Sequence, residues 1–319
     1  MSRAALAALL VAAASGGALS ACAPVQPRPP SKPAPYRSMG ELLQGSAPAD
    51  WRPLRLEDAV VLELPAGRVV LELAPAFAPR HAANVKALVK SGYLDGLAIL
   101  RSQDNFVVQW GDPDADDPQK ARPFPEAAEK RLPAEFSRPA EGLPFHRLPD
   151  PDGWAPEAGF VDGLHAARDP KAGEAWLAHC YGAIGAGRGE AADSSTGAEL
   201  YVVIGHAPRQ LDRNITVVGR VVEGMELLAV VPRGPAPMGF FEKPEQRVPI
   251  RRARMALDLP EAERPRLELL RTDTPLFDAV LEARRNRRDG WYKRPAGHLD
   301  LCLAPLPVRA VAIPVRVTP

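Results

Sequence analysis

Residues 92–112 of this chain read GYLDGLAILRSQDNFVVQWGD, and residues 211–225 read LDRNITVVGRVVEGM. In the first stretch, the apolar runs 98–101 and 106–110 flank a short polar segment, which predicts two paired strands. In the second stretch, the apolar run 215–222 predicts a further strand. These segments determine how the rest of the chain is interpreted.

Apolar patterns elsewhere predict more short strands and few helices. Pro79 suits the first turn of a helix over 78–90, and Gly92 suits its end. Short helices are also predicted over 223–231 and 275–288. Further strands are predicted over 60–64, 69–73, 183–187, 199–205 and 248–257. Many short strands with one early and one late helix predict a closed antiparallel barrel.

The two quoted stretches resemble the signature of the cyclophilin-type peptidyl-prolyl isomerases. In that family an arginine stands five residues before a phenylalanine, and Gln-x-Gly-Asp follows, as in residues 101–112. The second stretch is similar to the family pattern Leu-Asp-x-x-x-Thr-Val-x-Gly-x-Val-x-x-Gly-Met, and residues 78–85 fit the family's first helix. The resemblance covers roughly residues 55–258. It implies a mostly β fold, an eight-stranded closed antiparallel barrel capped by two helices, with a long insert and a C-terminal extension.

The resemblance also assigns the candidate site. Arg101 is the expected catalytic residue, Phe106 and Val107 are expected to line a proline pocket, and Gln109 is expected to bind the substrate backbone. The expected substrate-binding residues on the opposite wall are Gly187, Arg188, Leu200, Val202, Leu211 and Ile215. Leu200 stands where many members have glutamine, Val202 where they have phenylalanine, and Ile215 where they have histidine. These replacements predict a wall with less aromatic area and fewer polar contacts. Phe106, Val107 and Val202 could equally belong to the barrel core.

The chemistry that the resemblance implies needs few groups. Rotation about an X–Pro bond is slow because amide resonance gives a barrier of about 18–20 kcal/mol. A guanidinium that donates toward the twisted amide can lower this barrier, since it always carries its charge. We therefore expect an isomerase that needs no cofactor and no metal.

The N-terminus resembles a bacterial lipoprotein signal. Arg3 precedes the apolar run 4–14, which is too short to span a bilayer, and residues 19–22 read LSAC, similar to a lipobox. Residues 1–21 are thus expected to be removed and Cys22 to carry the lipid. Ala23, rather than aspartate, implies the periplasmic side of an outer membrane. The alternative is an ordinary signal peptide cleaved near Ala21.

Composition and patterning suggest the remaining organisation. A proline-rich linker is expected over 22–50, the isomerase domain over 51–258 with an insert at 113–180, and a C-terminal extension over 259–319. Residues 1–21 contain one basic and no acidic residue, so their removal leaves a net charge of zero, which argues against nucleic acid as a partner. Cys180 and Cys302 could form a disulfide in an oxidising compartment or remain buried thiols.

Two functions remain open from the sequence. The first is an isomerase that acts, as a monomer, on proline-containing polypeptides exported from the cytoplasm. The second is a non-catalytic proline-binding or chaperone module that uses the barrel as a docking surface. A further hypothesis is that the insert folds over one rim of the barrel and restricts substrate choice.

Overall fold

The computed structural model describes residues 36–311. The signal peptide, Cys22 and the first part of the expected linker lie outside the described residues. The helices are α1 (Met39–Gln44), α2 (Pro79–Lys90), α3 (Met225–Ala229) and α4 (Pro275–Arg285). The strands are β1 (Trp51–Pro53), β2 (Ala59–Leu64), β3 (Gly67–Leu73), β4 (Ala98–Ser102), β5 (Val107–Gly111), β6 (Arg138–Pro139), β7 (Phe145–Arg147), β8 (Glu157–Val161), β9 (Leu164–Asp169), β10 (Glu174–Leu177), β11 (Ala183–Ala186), β12 (Leu200–Val203), β13 (Val217–Glu223), β14 (Val248–Pro249), β15 (Arg252–Met255), β16 (Leu267–Leu270) and β17 (Val308–Ala310).

The largest sheet is antiparallel and has nine strands in the order β14-β4-β5-β12-β11-β13-β3-β2-β15. It is curled around a core to which its strands and α2 contribute apolar side chains such as Leu71, Leu88 and Trp110. The turn between β4 and β5 contains Asn105 with φ 50°, a left-handed conformation that asparagine tolerates well. The strands and helix predicted around the quoted stretches are therefore present.

The sheet has nine strands where eight were expected, because the predicted strand 248–257 is divided. Residues 248–249 pair with β4 as β14, and residues 252–255 pair with β2 as β15. Residues 248–255 thus supply both edge strands of the sheet.

The insert contains a second, five-stranded antiparallel sheet in the order β6-β10-β9-β8-β7. The sequence did not predict these strands. Several are short or rich in alanine and glycine, so their local pattern is weak, and their pairing depends on close backbone approach. A Cβ at Gly159 would lie 2.2 Å from the carbonyl oxygen of His146 on the neighbouring strand.

The expected boundary of the linker at residue 50 is wrong, because α1 lies within the folded unit. Ser38 caps this helix, and the Glu41 side chain accepts a hydrogen bond from the Ser38 amide at 2.7 Å. Leu42 is buried in a core shared with α4, in which Phe277 and Leu281 also lie.

The described part of the C-terminal extension, residues 259–311, is folded against β1. Strand β16 pairs with β1 on one side and with β17 on the other. Cys302 forms a disulfide with Cys180, across a sequence separation of 122 residues. No helix within residues 36–311 is long and apolar enough to cross a membrane.

Candidate active site

The hairpin of β4 and β5 places Arg101 opposite Gln109. Arg101 Nη1 donates to Gln109 Oε1 at 3.1 Å, and Nε donates to the carbonyl oxygen of Met238 at 2.7 Å. Nη2 donates to the side chain of Gln103. These three acceptors fix the plane of the guanidinium before any substrate binds.

Two aromatic rings lie beside the Arg101 guanidinium. Its carbon is 5.5 Å from the ring centroid of Phe106 and 5.1 Å from that of Phe240, distances at which a cation is attracted to a ring face. Partial burial lowers the pKa of Arg101, although a guanidinium keeps its charge at neutral pH. Arg101 is therefore a fixed, weakly hydrated cation.

Beside Arg101 lies an open cavity of about 300 Å³. Its lining consists of Arg101, Phe106, Val107, Gln109, Gly187, Arg188, Glu199, Tyr201, Leu211, Ile215, Met238 and Phe240. Most of the residues expected from the sequence are thus brought together around one space. Its walls are largely apolar, and Arg101 and Gln109 supply polar groups at one side.

Two of the predicted wall residues, Leu200 and Val202, do not line this cavity. Both are buried in the core of the large sheet, at 1% and 0% exposure. Side chains alternate between the two faces of a strand, so an error of one residue exchanges the faces. The wall positions belong instead to Glu199 and Tyr201, and Tyr201 lies opposite Gln109 in the register.

The predicted loss of aromatic and polar character is therefore wrong for strand β12, whereas Ile215 does line the cavity as expected. The Tyr201 ring supplies aromatic area, and Gln109 Nε2 donates to Glu199 Oε2 at 3.1 Å. Burial raises the pKa of Glu199, and nearby acidic residues add to this rise. The alternation of polar and apolar residues in the segment ELYV, residues 199–202, carried the signal for the correct face.

Arg188 has a structural contact in addition to its place in the lining. Its Nε donates to the carbonyl oxygen of Asn214 at 2.9 Å, and its Nη1 donates to that of Gly189 at 2.7 Å. The bond to Asn214 holds the loop before β13, which carries Leu211 and Ile215, against the loop after β11.

Met238 and Phe240 were missed by the sequence interpretation. They lie in the loop between α3 and β14 and are 50% and 45% exposed. Residue 240 forms an isolated bridge with residue 101, which brings this loop to the cavity rim. No local pattern marks the two residues, because their position depends on pairing with a strand distant in sequence.

Comparison with known proteins decides the family. The family model of cyclophilin type peptidyl-prolyl cis-trans isomerase/CLD matches residues 59–255. The chain belongs to the cyclophilin family. This cyclophilin is 45% identical over 56 residues to a "Probable peptidyl-prolyl cis-trans isomerase" of Brucella suis biovar 1, a match that covers 18% of this chain and 29% of the relative. It is 43% identical over 54 residues to the "Peptidyl-prolyl cis-trans isomerase-like 1" of Gibberella zeae, covering 17% and 33% of the two chains.

The cyclophilin thus spans about a third of the length of the curated relatives it matches. A solved structure covers more of it: the cyclophilin AquaCyp293 from Hirschia baltica has a TM-score of 0.67 at 24% identity, over 83% of this chain and 96% of that one. This likeness concerns the fold alone. It covers a larger share of the chain than the matched family region does.

Proposed function

We propose that this cyclophilin catalyses the cis–trans isomerisation of X–Pro bonds in polypeptides. The observation that carries the proposal is the fixed Arg101 guanidinium beside a cavity lined by Phe106 and Val107. A cavity of this size accepts a proline ring and its neighbours. The apolar lining provides a favourable environment for the ring carbons.

The reaction follows from differential binding of the twisted amide. As the X–Pro bond rotates, conjugation is lost and the prolyl nitrogen gains a lone pair that can accept a hydrogen bond. An N–H of Arg101 directed at this nitrogen stabilises the twisted state more than either planar isomer, which lowers the barrier. The pocket holds the proline ring while the preceding residue rotates, and no covalent bond forms or breaks.

The test is isomerisation of a short Ala-Pro peptide by the full-length protein, followed by exchange NMR. We expect Arg101→Ala to reduce kcat/KM by about 10²–10³, the effect of removing one transition-state hydrogen-bond donor. The matched control is Arg131→Ala. Arg131 is exposed and pairs with Asp193 away from the cavity lining, so its loss is expected to leave turnover unchanged. Equal turnover by wild type and Arg101→Ala would contradict the proposal.

The alternative is a non-catalytic proline-binding module. It is favoured by the half-exposed Met238 and Phe240, which extend the apolar wall beyond the space that one proline ring needs. This alternative predicts that a folded wild-type protein binds proline peptides without accelerating their isomerisation.

We also propose that the protein is a lipoprotein held through Cys22 at the periplasmic side of the bacterial outer membrane, where it acts on exported polypeptides. The LSAC segment and the short apolar run before it support this localisation. The disulfide between Cys180 and Cys302 is in keeping with an oxidising compartment. Cys22→Ser is expected to move the protein from the membrane fraction to the soluble fraction. An unchanged distribution would contradict the proposal.

We further infer that the protein is a monomer and that the curled sheet closes into a barrel. The inference of closure rests on the shared origin of β14 and β15 in residues 248–255. Sedimentation velocity tests the inferred monomer. Slow exchange of the backbone amides of β14 and β15 tests the inferred closure of the barrel.

A further inference from the structure

The wall residue Tyr201 is held from behind by a buried chain of polar side chains. Its ring lines the cavity and its side chain is otherwise buried. The ring crosses the neighbouring strand at Gly185, where a Cβ would lie 2.1 Å from Tyr201 Cζ. Only glycine leaves room for the ring in this orientation. The hydroxyl group bonds to a side chain outside the cavity lining, since a buried hydroxyl needs a partner.

His179 is that partner. Its Nε2 lies 2.9 Å from Tyr201 Oη, and its Nδ1 lies 3.0 Å from Asp212 Oδ1. A carboxylate only accepts hydrogen bonds, so Nδ1 donates to Asp212, and Nε2 and the Tyr201 hydroxyl share the second bond. The His179 side chain is fully buried, which leaves these two bonds as the determinants of its orientation.

From Asp212 the chain continues through Arg209 to Asp152, in the middle of the insert. Arg209 Nε donates to Asp212 Oδ2 at 2.6 Å, and its two terminal nitrogens donate to the Asp152 carboxylate at 3.1 Å each. The side chains of Arg209, Asp152 and Asp212 are 3%, 3% and 6% exposed. Burial alone would raise the pKa of Asp212, but hydrogen bonds from His179 and Arg209 hold it below its usual value.

The chain joins segments that are far apart in sequence. His179 and Asp152 belong to the insert, and Arg209 and Asp212 belong to the loop that also carries the lining residues Leu211 and Ile215. The four members other than Tyr201 do not line the cavity, so each can be changed without removing a group that faces the substrate.

We propose that the series Tyr201–His179–Asp212–Arg209–Asp152 is a positioning device that orients the aromatic wall of the proline pocket and ties it to the insert. Its members are positioning residues, since only Tyr201 faces the cavity. This inference rests on the proposed function. Its consequence is that the insert contributes to substrate affinity from behind the pocket, through Asp152.

The first test is Tyr201→Phe, which keeps the ring and removes only the bond to His179. Loss of ring orientation weakens ground-state and transition-state binding alike, so we expect KM and the Kd for an Ala-Pro peptide to rise about three- to tenfold, with kcat changed less than about twofold. Tyr93→Phe is the matched control, because Tyr93 is a buried tyrosine outside this cavity. Unfolding by urea is measured for both variants.

The second test is a double-mutant cycle of Tyr201→Phe with Asp152→Asn. Distant, independent sites give additive effects, whereas members of one network do not. We expect the Kd of the double variant to be about equal to that of the single variant with the larger Kd.

A fall in stability without a change in Kd would mean that the network is merely structural and would overturn the inference. Additive effects on Kd would overturn the link to the insert. Because Kd is measured separately from turnover, a wild-type protein that binds the peptide without isomerising it would contradict the proposed function and leave this inference testable.

Discussion

At the scale of single residues, Gln109 connects the two walls of the site. Its Oε1 accepts from Arg101, and its Nε2 donates to Glu199, so both ends of the amide are engaged before substrate arrives. The sequence resemblance assigned Gln109 to substrate binding. The structure adds that Gln109 helps to hold Arg101 in place, so the guanidinium needs little reorganisation when the amide twists.

His165 provides a pH-dependent contribution to stability. Its Nε2 lies 2.9 Å from the carbonyl oxygen of Ala304. Burial lowers the pKa of His165 to about 4, and the hydrogen bond to Ala304 only partly opposes this shift. The folded state therefore keeps the ring neutral, whereas the unfolded chain binds a proton near pH 6.5.

Because the pKa of His165 is lower in the folded state, the unfolded state binds more protons as the pH falls through about 6.5. The free energy of unfolding therefore decreases from there down to about pH 4. We expect this group to reduce the free energy of unfolding by about 1–2 kcal/mol between pH 7 and pH 5. Urea unfolding of wild type and His165→Gln at both pH values measures this contribution, since glutamine can donate to the same carbonyl. Identical pH dependence in the two proteins would show that His165 contributes nothing.

At the scale of elements, helix α2 is capped by the insert and not by its own sequence. Ala78 at the N-cap offers no side-chain acceptor. The carboxylate of Glu135 instead accepts from the backbone amides of Arg80 and His81, each at 2.9 Å. A carboxylate at this end of a helix satisfies free N–H groups and interacts favourably with the helix dipole.

We expect Glu135→Ala to lower the free energy of unfolding by about 1–2 kcal/mol, the usual cost of losing an N-cap. The matched control is Glu141→Ala, a substitution at an exposed glutamate of the same insert. Chemical denaturation at pH 7 compares the two variants. If both lose equal stability, the contact of Glu135 with α2 does not stabilise the helix.

The elements that the sequence predicts are those whose apolar pattern is local. Strands β2 and β3 are continuous apolar runs around a tight turn, and their pattern is local. The insert strands β6 and β7 have two and three residues, too few to produce a recognisable period. At β12 the strand was correctly located but its faces were exchanged, since the family pattern was aligned one residue too far along the chain. Helix α1 was missed because its burial depends on the distant α4.

At the scale of the whole molecule, a second core joins parts of the chain that the sequence analysis assigned to linker, insert and extension. Leu42, Phe160 and Phe277 lie in this core, together with Cys180. The disulfide connects the segment just after His179 to the C-terminal extension at Cys302. The extension is thereby fixed next to the strands that carry the proposed pocket.

We expect loss of this disulfide to lower the free energy of unfolding by about 2–5 kcal/mol, because a cross-link over so long a loop restricts the unfolded chain strongly. The measurement is urea unfolding of wild type and Cys302→Ser, each with and without a reducing agent. The wild-type midpoint should fall on reduction to that of Cys302→Ser, and the variant should not respond to the reductant. Limited proteolysis should then cut the extension first, since β17 and the segment around residue 302 lose their covalent tie. A wild-type midpoint that does not change on complete reduction would show that the shared core alone holds the extension in place.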